Sequence, residues 1–227
     1  IVAIGVGKMT FGGLGCNIFN PALAGRCFLL VSCPSQMTSW PVAGQLLKYT
    51  DAETGATPLG IIKGAAKKGD SSLLDRLPDS LSLLLGNDTY AMGAGSLGEV
   101  CGIAILIGLA YLLWRRVITW HIPVSIIATV FVLTALMHVA NPAYANPVAS
   151  VLSGGVLLGA VFMATDYVTS PMTHRGQLIY GVAIGAITVV IRNWGAYPEG
   201  MSFAILIMNA FTPLINTYVK PRRYSDK

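Results

Sequence analysis

The chain has 227 residues, of which 54% are hydrophobic and only 11% are charged, and its mean hydropathy is +0.64. Soluble domains carry about 25% charged residues, so this composition excludes an ordinary soluble globule, a disordered tail and a disulfide scaffold. The net charge of +5 comes from 15 Lys and Arg residues spread between apolar runs. This distribution is typical of loops that face anionic lipid and the cytoplasm, not of a nucleic-acid-binding surface.

The predicted elements are apolar runs with charges at their edges, because a helix needs about 20 residues to cross about 30 Å of hydrocarbon. The first run carries Arg26 and follows the Gly- and Asn-rich stretch Gly12–Pro21, so we expect a broken or short helix there, packed against protein or a cavity. The first residues resemble the end of a helix, and we expect the chain to lack N-terminal helices. The predicted helices are 21–37, 99–114, 121–140, 149–165, 177–191 and 201–219.

The sequence therefore predicts an all-α fold, a polytopic integral membrane helical bundle forming a single domain over residues 1–227. Between its first two helices lies a long loop, at about 38–98. Basic residues in the short loops alternate consistently onto one face of the bundle, at Arg115, Arg116, Arg175 and the C-terminal tail. The positive-inside rule then predicts a cytoplasmic C-terminus and an extracytoplasmic loop 38–98.

That loop contains Asp51–Leu59, a cluster of hydroxyls, small residues and carboxylates in an otherwise apolar chain. Thr57 precedes Pro58, which favours an extended backbone and a projecting hydroxyl. On physical grounds alone the segment is either a structural turn or a modification site.

Six segments together resemble the D subunit of the Rnf electron-transport complex, and the B subunit of the sodium-pumping NADH:quinone reductase is the nearest relative of that family. They occur in family order over nearly the whole chain: Gly12–Arg26, Gln36–Trp40, Asp51–Leu59, Gly95–Glu99, Thr165–Thr173 and Tyr197–Gly200. The resemblance implies FMN on Thr57, attached as a phosphoester by an extracytoplasmic flavin transferase. Thr54, Gly55 and Ala56 belong to the same attachment pattern.

The resemblance also implies a function. It is that of a multi-pass electron-transfer protein of the prokaryotic inner membrane, in a complex that couples ferredoxin:NAD⁺ electron transfer to Na⁺ or H⁺ translocation. The implied partners are the A, B, C, E and G subunits, the flavin transferase, lipid and the ion. The resemblance leaves room for a second, non-covalent flavin such as riboflavin.

Further candidate residues carry polar groups near helix ends. Ser96 lies just before an apolar helix and Glu99 begins it, where a carboxylate complements the helix dipole, and we expect them to line the flavin site or to cap the helix. Asp166 is expected either to pair with Arg175 or to contact an ion or second flavin. Three more candidates for that contact are Asn17, Asn20 and Thr173. We expect no metal site and no complete catalytic site in this chain.

An alternative from another class is a small-solute channel or carrier without a redox role. Gly-rich broken helices, as expected before Pro21 and around Asp166, are also how transporters build sites within the membrane. The Thr57 pattern distinguishes the two, because a simple channel has no use for it.

Overall fold

A computed structural model describes residues 1–38, 57–69, 71–86, 98–99, 101–197 and 199–220. Within these ranges the chain is helical and contains no strand, which confirms the all-α prediction. Short π and 3-10 turns lie at Val2–Val6, Met9–Phe11 and Ser71–Arg76. The α-helices are α1 (Pro21–Ser32), α2 (Pro34–Thr38), α3 (Pro58–Lys68), α4 (Ser80–Leu85), α5 (Gly102–Trp114), α6 (His121–Ala140), α7 (Pro147–Leu152), α8 (Val156–Leu158), α9 (His174–Trp194) and α10 (Met201–Tyr218).

Three of the described helices are long and apolar enough to cross a membrane: α6, α9 and α10. Many large apolar side chains on these helices remain exposed, among them Phe131, Leu136, Val190 and Phe211. Such an exposed apolar surface is expected where lipid replaces water as the surrounding solvent. The structure thus supports a membrane protein with several spans.

Two glycines set the close packing of α6 against α9. Gly181 and Gly185 are one helical turn apart on α9, and a side chain on either would collide with Ser125 or Thr129 of α6. A small residue at every fourth position lets two membrane helices approach closely. The helix pair then encloses a core built around Tyr180, whose hydroxyl lies 2.7 Å from the Asn209 side chain.

The predicted helix 149–165 is wrong as a single element, because Ser153–Gly155 interrupts it. Helix α7 ends at Leu152, Gly154 has a φ of +66°, and the chain resumes as α8 and a π-helical turn at Gly159–Met163. A left-handed backbone at Gly154 costs little only because glycine has no Cβ. An interrupted helix inside a bundle is tolerated where the freed carbonyl groups find partners within the protein.

Two other elements differ from the sequence prediction, and a third agrees with it. Glu99 lies before α5, which begins at Gly102, so the run predicted at 99–114 forms only 13 helical residues. The run at 21–37 is broken at Cys33 into α1 and α2, which confirms the expected broken or short helix there. The predicted loop 38–98 contains α3 and α4 within its described part. The physical reason is local: Pro at the first helical position and a side-chain cap begin α3, and glycine in the left-handed region ends both α3 and α4.

Candidate functional site

Thr57 is the N-cap of α3. Its backbone is extended, with φ −67° and ψ 148°, and its hydroxyl oxygen accepts a hydrogen bond of 3.2 Å from the backbone N–H of Gly60. The extended backbone agrees with the sequence prediction. The hydroxyl, however, is not a free group on a turn, because it begins an 11-residue helix. A Cβ on Gly60 would lie 3.3 Å from this oxygen, so glycine there leaves the hydroxyl uncrowded.

Helix α3 is held at the end of the bundle where α9 ends and α7 begins. Leu59 is buried, and its Cδ2 atom lies 2.8 Å from the position that a Cβ on Gly154 would occupy. Lys63 is 9% exposed and donates to the backbone carbonyl of Tyr197. Burial, followed by the charge of Lys67, lowers the pKa of the Lys63 ammonium. These contacts place Thr57 beside the break in the 147–163 segment.

Two carboxylates share one guanidinium immediately beyond that break. Arg26 Nη2 lies 2.6 Å from Glu199 Oε2, and Arg26 Nη1 lies 3.5 Å from Glu99 Oε1. The Glu99 side chain is only 5% exposed, against 16% for Glu199. The same two carboxylates crowd Gly155, since Oε1 of each lies 2.8 Å from the position of a Cβ there. Arg26 thus links α1 to the segments that precede α5 and α10.

Arg192 hydrogen-bonds to the backbone at the break between α7 and α8. It is 8% exposed, and its Nη1 and Nη2 atoms donate to the backbone carbonyls of Ser150 and Ser153 at 2.6 and 2.9 Å. These are carbonyls at the C-terminal end of α7, where a helix leaves acceptors unsatisfied and favours positive charge. A buried guanidinium therefore compensates the interrupted backbone.

The environment of Glu99 favours its neutral form. Burial raises the pKa of the Glu99 carboxyl to about 7, and the neighbouring charge of Glu199 adds to that effect. The guanidinium groups of Arg26 and Arg192 act in the opposite direction but do not cancel it. This carboxyl can therefore exchange a proton near neutral pH.

Three of the predicted candidates carry structural hydrogen bonds. Asn20 is the N-cap of α1, accepting from the backbone of Ala22 and Leu23, and its Nδ2 donates to the Met163 carbonyl. Asn17 Nδ2 donates to the Phe19 carbonyl. Thr173 is the N-cap of α9 and donates to the backbone carbonyl of Val219. The bonds to Met163 and Val219 are long-range, so Asn20 and Thr173 also tie the starts of α1 and α9 to other parts of the fold.

Asp166 and Arg175 form no ion pair in the structure, so the first of the two alternatives expected for Asp166 is not observed. In the part of the chain that the structure describes, both ion pairs belong to Arg26. Asp166 Oδ2 accepts instead from the hydroxyl of Thr169 at 3.0 Å. Asp166 lies near the N-terminal end of α9, the opposite end of the bundle from Thr57, and carries no contact to the described residues around Thr57.

Four predicted residues fall outside the described ranges: Thr54, Gly55, Ala56 and Ser96. Conversely, the cluster around Gly154–Gly155 contains charged residues that the sequence prediction did not select. The signals were present, because Arg26 interrupts an apolar run, Glu199 lies in the Tyr197–Gly200 motif, and Arg192 stands at the edge of another run. A charged residue inside an apolar run indicates that it has a pairing group in the folded protein, but only the three-dimensional structure shows which group that is.

Comparison with known proteins gives a consistent result. A family model described as NQR2, RnfD, RnfE matches residues 1–225. The chain is 43% identical over 225 residues to an Acetobacterium woodii protein, named as the D subunit of a Na(+)-translocating ferredoxin:NAD(+) oxidoreductase complex. That alignment covers 99% of this chain and 64% of the relative, so the chain spans less than two thirds of that protein's length.

Two further relatives carry related names. A Clostridium ljungdahlii protein, named as the D subunit of a proton-translocating ferredoxin:NAD(+) oxidoreductase complex, is 42% identical over 231 residues, covering 100% of this chain and 67% of the relative. A Stutzerimonas stutzeri protein, named as the D subunit of an ion-translocating oxidoreductase complex, is 40% identical over 243 residues, covering 98% and 67%. By the extent of these matches, the chain belongs to the NQR2, RnfD, RnfE family.

Proposed function

We propose that this chain is a membrane electron-transfer subunit of an Rnf-type complex and that Thr57 carries FMN as a phosphoester. The complex would couple ferredoxin:NAD⁺ electron transfer to translocation of Na⁺ or H⁺. Two of the relatives are named for these activities, one for each ion. Partners are then the other Rnf subunits and a flavin transferase.

The observation that carries the proposal is the position of the Thr57 hydroxyl at the first turn of α3. A helix N-terminus directs backbone N–H groups and the positive end of its dipole at a phosphate. The cap bond from Gly60 uses a lone pair of the hydroxyl oxygen, whereas ester formation replaces only its proton. Thr57 therefore remains able to cap the helix after modification.

The residues around Thr57 would position the group rather than react with it. FMN, when bound, supplies the electron-transfer chemistry, and the chain supplies orientation and electrostatics. Leu59 and Lys63 fix α3 against Gly154 and Tyr197, so the attachment point is held on packed helices. Among the described residues, Glu99, Glu199 and Arg26 supply partly buried charge beyond Gly154.

The proposed orientation places the Thr57 end of the bundle outside the cell. Arg115, Arg116 and Arg175 lie at the opposite end, beside the N-terminal ends of α6 and α9. Positive charge at that end favours the cytoplasm. The topology and the requirement for an extracytoplasmic flavin transferase then agree, although each rests on a different argument.

The experiment is peptide mass spectrometry on the complex made with an active flavin transferase. The tryptic peptide Tyr49–Lys63 should gain the mass of one FMN less one water. The intact subunit should show flavin fluorescence in a denaturing gel. Thr57→Ala and Thr57→Asp should lack the flavin, Thr57→Ser should restore it, and Thr54→Ala is the matched control that should retain it. An unmodified wild-type peptide, or modification at Thr54 instead, would contradict the proposal, and the first result would leave a channel or carrier as the alternative.

A further inference from the structure

Three buried polar atoms around the break at Ser153–Gly155 have no hydrogen-bond partner among the described residues. They are Glu99 Oε1, Ser153 Oγ and Arg192 Nε. A buried polar atom without a partner costs free energy unless another group or a proton satisfies it. The Glu99 oxygen is the acidic member of this set, and its side chain is more than nine-tenths buried.

Glu99 Oε1 and Glu199 Oε1 face the same side of Gly155. Each lies 2.8 Å from the position that a Cβ there would occupy, so only glycine permits both carboxylates to approach the backbone at this point. Two carboxylates that share a site do not both ionise readily, and the pair binds a proton more tightly than either group alone. The close approach of the two carboxylates therefore favours binding of one proton by the pair.

The surrounding charges decide which carboxylate takes the proton. Arg26 of α1 makes its short contact with Glu199, at 2.6 Å, and only a longer one with Glu99. Arg192 of α9 uses both terminal nitrogens on backbone carbonyls. Among the described residues, the remaining titratable group facing the cluster is the Cys27 thiol of α1, which is neutral when it carries its own proton. Glu199 is thus the compensated carboxylate, and Glu99 is left without a strong partner.

We propose that Glu99 is a reversible proton-binding site, with Glu199 as the facing carboxylate and Arg26 as the cation that pairs with both when both are ionised. Proton release would draw Arg26 toward Glu99 as well as Glu199, which links α1 to the segments before α5 and α10. The raised pKa of Glu99 agrees with this arrangement. The site lies next to α3 through Gly154 and Gly155, but proton binding there does not require FMN.

An apolar cleft of ≈ 400 Å³ lies beside the segment that carries Glu99, since Gly98 and Cys101 line it. The cleft is lined by Gly98, Cys101, Ala104, Ile105, Leu158 and Phe162. Dicyclohexylcarbodiimide is apolar and reacts with protonated carboxyl groups. It therefore reports proton occupancy at a buried carboxyl without reference to electron transfer.

The test is carbodiimide labelling of the intact complex in its membranes across a pH series, measured by peptide mass spectrometry. Labelling at Glu99 should be strong at acidic pH and fall with a midpoint near neutral pH. Glu199→Gln removes the neighbouring negative charge and should move that midpoint to lower pH. Glu99→Gln should abolish the label at position 99, while any label on Asp79 or Asp166 in the same sample should be unchanged by either substitution.

Two results would overturn the proposal. Absence of label at Glu99 at every pH, with the peptide detected, would mean a closed ion pair with Arg26. Protection by NaCl but not by KCl at equal ionic strength would mean that Na⁺, not a proton, occupies the site. The same labelling can be done on the Thr57→Ala complex, which carries no flavin at that position. The proton-binding proposal and the flavin-attachment proposal can therefore fail independently of each other.

Discussion

Leu59 occupies the space that a side chain on Gly154 would need. Its Cδ2 atom lies 2.8 Å from the position of a Cβ on that glycine. Leu59 stands two residues after Thr57 in the first turn of α3, and Gly154 lies in the break between α7 and α8. The contact therefore fixes Thr57, the proposed attachment residue, relative to the interrupted helix.

Replacing Gly154 with alanine should destabilise the protein more than the same change at Gly69. Both glycines have nearly the same left-handed backbone, with φ +66° and +67°, so each alanine costs about 1–2 kcal/mol in strain. Only Gly154 also has Leu59 and Arg192 within 3.0 Å of the new methyl group, whereas Gly69 has open space. Thermal unfolding in detergent checks the difference. Equal shifts for the two variants would show that the Leu59 contact yields without cost.

The cap at Thr57 should stabilise α3 independently of any flavin. Loss of an N-cap oxygen costs about 1 kcal/mol, so Thr57→Ala should increase amide hydrogen exchange in α3, whereas Thr57→Asp, a good N-cap, should preserve protection. The measurement is made on wild-type and variant protein produced without flavin transferase. Protection in α4, which Asp79 caps, provides the internal reference. Equal protection in the Ala and Asp variants would mean that the Gly60 hydrogen bond contributes nothing.

The sequence predicted the long elements well because their signal is apolar length. The structure has α6 at His121–Ala140, and the runs predicted at 177–191 and 201–219 correspond to α9 and α10. Short elements were missed because capping, not hydropathy, creates them. Helix α3 begins at the Thr57 cap and Pro58 and ends at Gly69. Each of these signals affects only the adjacent turn of the helix, so it is not visible in a hydropathy pattern.

The candidate site was only partly predictable for a related reason. The motif around Thr57 was visible in the sequence, whereas the break has only a three-residue signal, Ser153–Gly155, inside a run assigned from its apolar length. Only the fold brings Arg192, 38 residues further along the chain from Gly154, onto the carbonyls of Ser150 and Ser153. Long-range pairing of buried charge has no periodic signature in one sequence.

Removing the guanidinium of Arg192 should destabilise the interrupted helix. Arg192→Gln deprives two buried carbonyls of charged donors, and each carbonyl left unpaired costs about 1–3 kcal/mol. Arg192→Lys should be intermediate, since an ammonium cannot reproduce the two-pronged contact. The control is Arg115→Gln, which changes an exposed residue at the opposite end of the bundle. A thermal midpoint for Arg192→Gln equal to that of the control would mean that Arg192 does not stabilise the break.

The stability of the wild-type protein should fall as pH rises toward neutrality, and Glu99→Gln should lack this dependence. The pKa of Glu99 is raised from 4.5 to about 7, chiefly by burial and further by Glu199, so between these values the native state keeps a proton that the unfolded state has lost. Because the native state binds more protons there, the free energy of unfolding decreases with pH. The contribution is fully present below the ordinary pKa, is on the order of 3 kcal/mol, and is lost as pH passes through the raised value. Thermal unfolding of both proteins in detergent, at several pH values between about 5 and 8, measures the difference between their slopes. Parallel curves for wild type and Glu99→Gln would mean that Glu99 is ionised throughout this window, with Arg26 compensating it fully.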